Sequence, residues 1–374
     1  MKIAVLGAAG AMAQVVVRDL LEFVPDVEIT AADLHPAAPH PDSRVRTATV
    51  DARDEDATAR LLEGHDAVLN CVTYYFNVPV MRAALKARVP YSDLGGLYHG
   101  TLKQFALHDD FVAAGVPALL GMGSTPGITN VMAGSLGKDL ESVESIHVRV
   151  GSIDRSAAAT TAPLPVPYAL DTVLDEFSLE PMIFRDGRAH AVAPMSGKSS
   201  IDFPPPVGRV EALYTLHSEV AMFPRSFPGL REASFKVAFE PEFTRKVAFL
   251  VELGFASREP LMKGVSPREV LLELAARQSV PAGDPDDCDV LRVDVRGRRS
   301  GRAVERRGEM IVLPHSRWGV AAGSLDTGVP LSVAGQLLAS RAISEPGVLC
   351  PETAVPDELF FEMLDRRDLR VRWS

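Results

Sequence analysis

Over its first 125 residues the chain alternates short apolar runs of strand type with segments whose apolar residues recur at helical spacing. No other feature constrains the fold as much. The runs are Ile3–Leu6, Val27–Asp33, Val45–Asp51, Ala67–Val72, Val89–Asp93 and Val116–Gly121. Helices are expected after the first run and at Ala57–Glu63, Val78–Ala87 and Lys103–Ala114. Such alternation predicts an α/β fold with a parallel, doubly wound sheet. Past Gly123 the rhythm changes. Gly123–Asn130 (GSTPGITN) reads as a loop entering a helix that ends near Leu136, and Val143–Val150 as a longer strand. Asp186-Gly187 is a hairpin signal. Strands at Ala233–Phe239, Asp289–Arg296 and Ala303–Leu313, with helices at Phe243–Leu253 and Pro267–Gln278, predict an α+β second domain on a mostly antiparallel sheet. Ser156–Pro167 reads as a linker or a loop near the cleft, and Phe203–Val207 as irregular. Pro330–Ile343 and Pro356–Arg367 read as helical, with Leu369–Trp373 closing the chain.

A length of 374 residues exceeds one usual core, so two domains are expected. A net charge of −10 argues against nucleic acid, which needs a basic face. The basic run Arg296–Arg302 reads as a solvated hairpin. No apolar run approaches the roughly 20 residues that span a bilayer. The chain opens on a strand and not on a signal peptide. Cys71, Cys288 and Cys350 offer neither a disulfide framework nor a metal motif. The expected setting is therefore the cytoplasm, with no membrane and no nucleic acid as partner.

The turn after the first strand is Gly7-x-x-Gly10-x-x-Ala13, with Ala9 in place of the more familiar middle glycine. It is read either as a generic strand–helix turn or as a diphosphate cradle, and the alternation favours the cradle. The candidate cofactor contacts are Gly7, Ala9, Gly10, Ala11 and Met12. Asp33 ends the second strand 26 positions after Gly7, where an acid accepts the adenosine ribose hydroxyls of NAD. A carboxylate there would repel a 2′-phosphate, so NAD is expected over NADP; the alternative is a surface acid ending a strand. Asp51 is placed beside the adenine or at a helix N-cap. Asn70, Cys71, Val72 and Thr73 should line the nicotinamide side, because ligands bind outside the carboxyl ends of the strands. By the same rule Thr73–Asn77, Asp93–Gly96 and Gly121–Thr125 share one crevice, which makes Asn77 and Gly123 candidate substrate contacts. Metal catalysis has weak support: His217-Ser218-Glu219 is followed by no Pro-Cys-x-x-Cys, and H-E-x-x-H is absent. No nucleophile elbow is present.

Several pieces in order carry a resemblance: GAAGAMA, NCVTYYFNVPVMRAALKARVPYSDLGG, LLGMGSTPGITNVMA, EALYTLHSEVAMFP, KVAFLVELGFA, KGVSPREVL and GVLCPETAVPDELFFEML. The chain resembles the saccharopine dehydrogenase-like oxidoreductases, and within them the lysine 6-dehydrogenases. The resemblance implies a Rossmann domain (1–128), an α+β substrate and dimerisation domain (129–329), and C-terminal helices returning to the first domain (330–374). It implies NAD-dependent oxidative deamination at the ε-carbon of L-lysine, giving ammonia and 2-aminoadipate 6-semialdehyde, which cyclises to 1-piperideine-6-carboxylate. The cofactor loop maps onto Gly7, Gly10 and Ala13, the ribose acid onto Asp33, and the Pro-Gly-x-x-Asn turn onto Pro126, Gly127 and Asn130. Alternatives are a saccharopine- or carboxyspermidine-type dehydrogenase, which condenses an amine with a carbonyl compound reductively, and a non-catalytic NAD-binding protein.

Hydride can leave carbon only when the adjacent nitrogen is neutral. At a lysine pKa near 10.4, roughly one free side chain in 2,500 is neutral at pH 7. The site must therefore lower the pKa of the amine, supply a base, or work in alkali. Asp93, His217 and Glu219 are the candidates for proton transfer; each is read alternatively as structural, and Glu219 shares a face with His217 only if that segment is a strand. Tyr75 and Tyr168 are candidates to bound the site. Arg225, Arg209 and Lys198 are candidate anchors for a substrate carboxylate, with Arg225 placed first. A homodimer is expected from an exposed edge of the second sheet.

Overall fold

The computed structural model describes residues 1–35, 39–156, 159, 161–166, 168–261, 263–278 and 283–374. Six strands build the first sheet in the N-terminal part: β1 (Lys2–Leu6), β2 (Glu28–Asp33), β3 (Val45–Thr49), β4 (Ala67–Asn70), β5 (Tyr91–Asp93) and β6 (Pro117–Leu119). Every pairing in it is parallel. A seventh strand, Gly347–Leu349, joins β6 at the edge; the sequence reading had no strand there. The connecting helices are α1 (Ala11–Phe23), α2 (Glu55–Leu62), α3 (Asn77–Ala87), α4 (Leu97–Phe105) and α5 (His108–Ala114). The expected single helix Lys103–Ala114 is thus two, and the first begins six residues earlier, directly after Gly96.

α6 (Ile128–Gly137) leads into the second sheet, which has nine strands and is mixed. These strands include β7 (Ser142–Asp154), the hairpin β8 (Met182–Arg185) and β9 (Arg188–Ala191), β10 (Ser199–Asp202), β11 (Arg209–Tyr214), β12 (Glu232–Ala238), β13 (Asp287–Arg299) and β14 (Arg302–Val312). Only β7 and β12 run parallel to each other. Asp186 and Gly187 both take positive φ, as the two-residue hairpin turn requires. The basic run turns the β13–β14 hairpin, and its charges are met by Glu305, Glu144 and Asp139. Of Ser156–Pro167, positions 157, 158, 160 and 167 lie outside the described residues; Leu164 is buried and its amide donates to Gln278 Oε1.

Around this sheet lie α7 (Leu170–Ser178), α8 (Glu219–Ser226), α9 (Pro241–Glu252), α10 (Pro267–Ala276) and α11 (Ala322–Ala339). α11 starts at Ala322 and carries Pro330 in its interior, where the sequence reading had placed its first residue. From Gly328 to Leu338 every residue of α11 is buried, so this stretch has no polar face, while the first turns carry Gly323, Asp326, Thr327 and Gly328, weak helix formers that hide the start. It lies between α1 and both sheets. A Cβ on Gly328 would stand 2.6 Å from Val15 Cβ, and one on Gly335 2.8 Å from Leu69. Ile146 and Val148 of β7, Phe235 of β12 and Val293 of β13 share its apolar core with Val329 and Val333; each fully buried aliphatic side chain contributes about 1.5–3 kcal/mol.

The C-terminal segment serves both sheets. Residues 347–349 extend the first, but Val371–Trp373 pair antiparallel with β14 in the second. Arg367 and Ser332 converge on the fully buried Asp19 of α1, with contacts of 2.6 and 2.9 Å from the guanidinium and 2.6 Å from the hydroxyl.

Candidate active site

The loop between β1 and α1 is held by main-chain bonds. Gly7 and Ala8 donate to the Ala32 carbonyl, and Gly10 to that of Gly7. Gly7 has φ +76°, and a Cβ there would lie 2.9 Å from the Cys71 carbonyl carbon, so only glycine lets β1 turn this close to the end of β4. Asp33 Oδ2 accepts from the Ala9 amide at 3.0 Å and Oδ1 from that of His35 at 3.0 Å. Gly10 caps α1 with no side-chain bond, which leaves the first amides of the helix as donors for an anion. A glycine cradle, uncapped helix amides and an acid ending β2 fit the diphosphate and ribose of a nicotinamide dinucleotide.

At the carboxyl ends of β4–β6 the polar residues hold one another. Asp93 is fully buried, and each oxygen accepts twice: Oδ1 from Gly121 and Gly95 amides (2.8 and 2.9 Å), Oδ2 from Tyr91 Oη and Gln104 Nε2 (2.8 and 2.5 Å). Burial raises its pKa against the pull of these donors. Asp93, expected to transfer protons, instead ties β5 to the loop after β6. Asn70 donates to Asn77 Oδ1 (2.9 Å) and Tyr91 Oη (3.2 Å), and Asn77 to the Gly95 carbonyl (2.9 Å). In the loop 121–127, Gly123 donates to the Pro126 carbonyl at 2.8 Å. Gly127 has φ +130°, and a Cβ there would stand 2.0 Å from the Gly123 oxygen. Asn130 Oδ1 accepts from Gly127, while its Nδ2 donates to Glu352 at 2.8 Å.

Against this loop the second domain sets a buried acid–imidazole group. The segment expected to be one strand or one helix is a strand to Tyr214, a short connection, and then α8 from Glu219. His217 and Glu219 meet across that turn, Nδ1 to Oε2 at 2.5 Å. The His217 ring stacks on Phe235 at 3.7 Å between centroids. Thr129 Oγ1 lies 3.5 Å from both Glu219 Oε1 and the Ser124 carbonyl, which joins the pair to the loop. Tyr168 donates to Glu176 Oε2 at 2.6 Å. Burial pushes Glu176 up to about 7, although His217 draws it down. Burial lowers the His217 imidazolium, but Glu219 and Glu176 outweigh it and its pKa is raised. The group can hold and pass a proton near neutral pH.

The comparisons decide the family. A model of the saccharopine dehydrogenase NADP binding domain matches residues 3–119, and one of the saccharopine dehydrogenase C-terminal domain matches residues 123–369. The chain belongs to the saccharopine dehydrogenase family. It is 23% identical over 330 residues to carboxyaminopropylagmatine dehydrogenase of Synechocystis sp., covering 84% of this chain and 81% of that protein. It is also 23% identical over 335 residues to carboxynorspermidine synthase of Vibrio cholerae, covering 82% and 78%. In fold it matches apo saccharopine dehydrogenase (L-Glu forming) from Saccharomyces cerevisiae, with a TM-score of 0.75 at 14% identity over 100% of this chain and 99% of that one. Homospermidine synthase from Legionella pneumophila, solved with NAD, matches with a TM-score of 0.69 at 12% identity over 100% and 91%.

Within this saccharopine dehydrogenase fold some expected site residues stand apart. Asp51 grips Arg53 at 2.7 Å, which holds its carboxyl down at about 2. The N-cap considered for Asp51 is Asp54, which accepts from the Ala57 amide. Arg225 lies over the Phe105 ring at 4.2 Å, Arg209 binds Ser200, and Lys198 pairs with Glu211; none of these contacts is with His217 or Glu219. Tyr75 bonds Asp175 of α7 and stacks under Arg258 at 4.7 Å, bridging the two domains. Sequence reasoning missed Glu176, Thr129 and Glu352, which come from elements far apart in the chain. The one signal was the Pro-Gly-x-x-Asn turn, whose Asn130 binds Glu352. Among the described residues no helix is long and apolar enough to cross a membrane, and no cluster of three or more metal-binding side chains occurs.

Proposed function

We propose that this oxidoreductase makes, and in reverse breaks, the carbon–nitrogen bond between a cationic amine and a carbonyl compound. The observation that carries the reading is the buried His217–Glu219 pair, with Glu176 and Tyr168 beside it, set against the loop that follows β6. The family and the names of the two curated relatives, built on agmatine and norspermidine, support an amine as substrate. Condensation joins amine and carbonyl with loss of water; reduction of the resulting imine takes up one hydride and one proton. A nicotinamide dinucleotide, held by Gly7, Gly10, the first amides of α1 and Asp33, supplies that hydride when bound. Asp33 supports NAD over NADP.

The proton work falls to this chain's own residues. Glu219 accepts a hydrogen bond from Nδ1–H of His217 and so leaves Nε2, which makes no hydrogen bond among the described residues, as the nitrogen that exchanges a proton with the reacting amine. In its neutral form His217 removes the ammonium proton that blocks attack. In its protonated form it gives that proton to the oxygen leaving as water. Asp93 is a positioning residue.

A second reading is NAD-dependent oxidation of L-lysine at its ε-carbon, with ammonia as the amine released. The ordered set of sequence segments resembling lysine 6-dehydrogenases supports it, and it uses the same proton steps. One assay separates the two. Reduced nicotinamide consumption that requires amine and aldehyde together supports condensation, whereas NAD reduction by lysine alone supports deamination. Absence of both across a panel of amines and carbonyls overturns the proposal. We also propose a homodimer, on the strength of the exposed edge strand β10; light scattering tests it.

A further inference from the structure

A second acidic group lies beside the same loop and takes no part in the proton chemistry. Asp287 and Asp289 sit two residues apart on β13 and so on one face of it. Asp287 Oδ2 accepts from the Gly323 amide at 3.4 Å, while its Oδ1 has no partner. A Cβ on Gly323 would stand 3.0 Å from Asp289 Oδ2, which places that carboxylate against the first turn of α11. One turn on, Asp326 is 1% exposed, and its Oδ2 also has no partner. Four residues further is Pro330, which has no N–H, so the Asp326 carbonyl lacks its helical donor as well. Asp326 thus offers one buried carboxylate oxygen without a partner, beside a carbonyl that has lost its i+4 helical donor.

The surroundings add negative charge and not positive. Asp154 faces Asp287 across the β7–β13 ladder, and like charges in that position repel. The adjacent Arg155 is committed to Asp286 at 2.8 Å. Burial, then Asp289 and Asp287, raise the Asp326 carboxyl far above its ordinary value, and no basic group acts against them. Burial pushes Asp289 up to about 6 against a hydrogen bond from Ser152, and Asp287 and Asp154 add to the rise. Asp326 Oδ2 in particular is a buried carboxylate oxygen without a partner; such a group is costly, and an organic cation would relieve it.

The group is continuous with the candidate site. The Thr327 hydroxyl lies 3.3 Å from Asp326 Oδ1 and 3.5 Å from Ser124 Oγ. Ser124 also meets Thr129, the residue that touches Glu219. On the other side Asp289 acts on Tyr168, which donates to Glu176.

We propose that Asp326, Asp289 and Asp287 form a subsite for the distal cation of the amine substrate, an ammonium or guanidinium carried by the same molecule whose other nitrogen reacts beside His217. This rests on the amine reading above and narrows it to linear amines with two cationic ends.

The test is calorimetry on the full chain with 1,4-diaminobutane, 4-aminobutylguanidine and n-butylamine, which share a four-carbon chain but differ in the second cation. The two dications should bind about 10- to 100-fold more tightly than butylamine, as charge-assisted hydrogen bonds allow. In Asp326→Asn and Asp289→Asn that preference should fall to near unity, with butylamine and NADH affinities unchanged. Equal affinity of wild-type protein for all three amines, or no binding, overturns the subsite, and this comparison needs no folded variant. Retention of the preference in both variants overturns it too. Loss of the amine reading looks different: dication preference with no turnover of any amine leaves the subsite standing, and turnover of butylamine and the dications alike leaves the reaction standing without the subsite.

Discussion

The carboxylate of Asp33 binds the amide of Ala9, 24 residues away, at 3.0 Å. The acid that ends β2 thereby fixes the turn in which the second glycine is replaced by alanine. Under the proposed preference for NAD, its remaining lone pairs serve the ribose hydroxyls and its charge opposes a 2′-phosphate. NADH should bind more tightly than NADPH by about tenfold or more, in keeping with charge-assisted bonds worth roughly 1.5–3 kcal/mol. In Asp33→Asn the difference should shrink, because Asn keeps an acceptor for Ala9 but repels nothing. Fluorescence titration with both reduced nucleotides measures it.

His217→Asn should lower kcat by about 10²–10⁴-fold, the range for a lost general acid–base group, and leave NADH affinity intact. Glu219→Gln keeps the shape but removes the charge that holds the imidazolium up against burial. The inflection of the pH–rate profile assigned to this pair should therefore move to lower pH. A profile that stays in place would separate His217 from the proton transfer.

Glu352 accepts from Asn130 and Ser226, yet burial still pushes it up to about 7 from an ordinary 4.5. A carboxyl raised in the folded state binds more protons there than in the unfolded chain between those two values. Its contribution to stability therefore falls as pH rises from about 4.5 to 7 and stays low above. Glu352→Gln should raise Tm at about pH 8.5, by a gain on the order of 1–3 kcal/mol, and change it little at about pH 4.5. Thermal melts at the two pH values give the sign.

Arg367→Ala should destabilise the protein by about 3–5 kcal/mol, because it strands the buried Asp19 carboxylate. Arg367→Met combined with Asp19→Leu should recover much of the loss, since it removes both charges and keeps apolar volume in place. Denaturant midpoints of the three proteins decide whether the pair acts through charge or through packing.

What the sequence disclosed was whatever lies within one turn or one period. The β1–α1 turn, the acid at position 33 and the hairpin at Asp186-Gly187 are local, and each was readable. The His217–Glu219 contact was also in reach, because the two are separated by one residue, although the segment is neither the strand nor the helix considered for it. For Asp93 the sequence left a catalytic and a structural reading side by side, for a physical reason. An acid at the end of a strand looks the same whether it meets a substrate or saturates itself on neighbouring donors, and only the fold brings Gly121 and Gln104 to it. Glu176, Glu352 and Asp326 stand about 40 to 135 positions from His217 in the chain and had no local mark. α11 hid its start because its first turns carry Gly323, Asp326, Thr327 and Gly328, which favour a helix weakly.

The last 28 residues lend one strand to each sheet, at Gly347–Leu349 and at Val371–Trp373. During synthesis the N-terminal sheet must wait for an edge that emerges more than 200 residues after β6, and the second sheet waits longer still. Until then both expose unpaired backbone. Assembly at the ribosome should therefore complete late and in both halves together, and a nascent chain halted before residue 347 is the species that chaperones would have to shield.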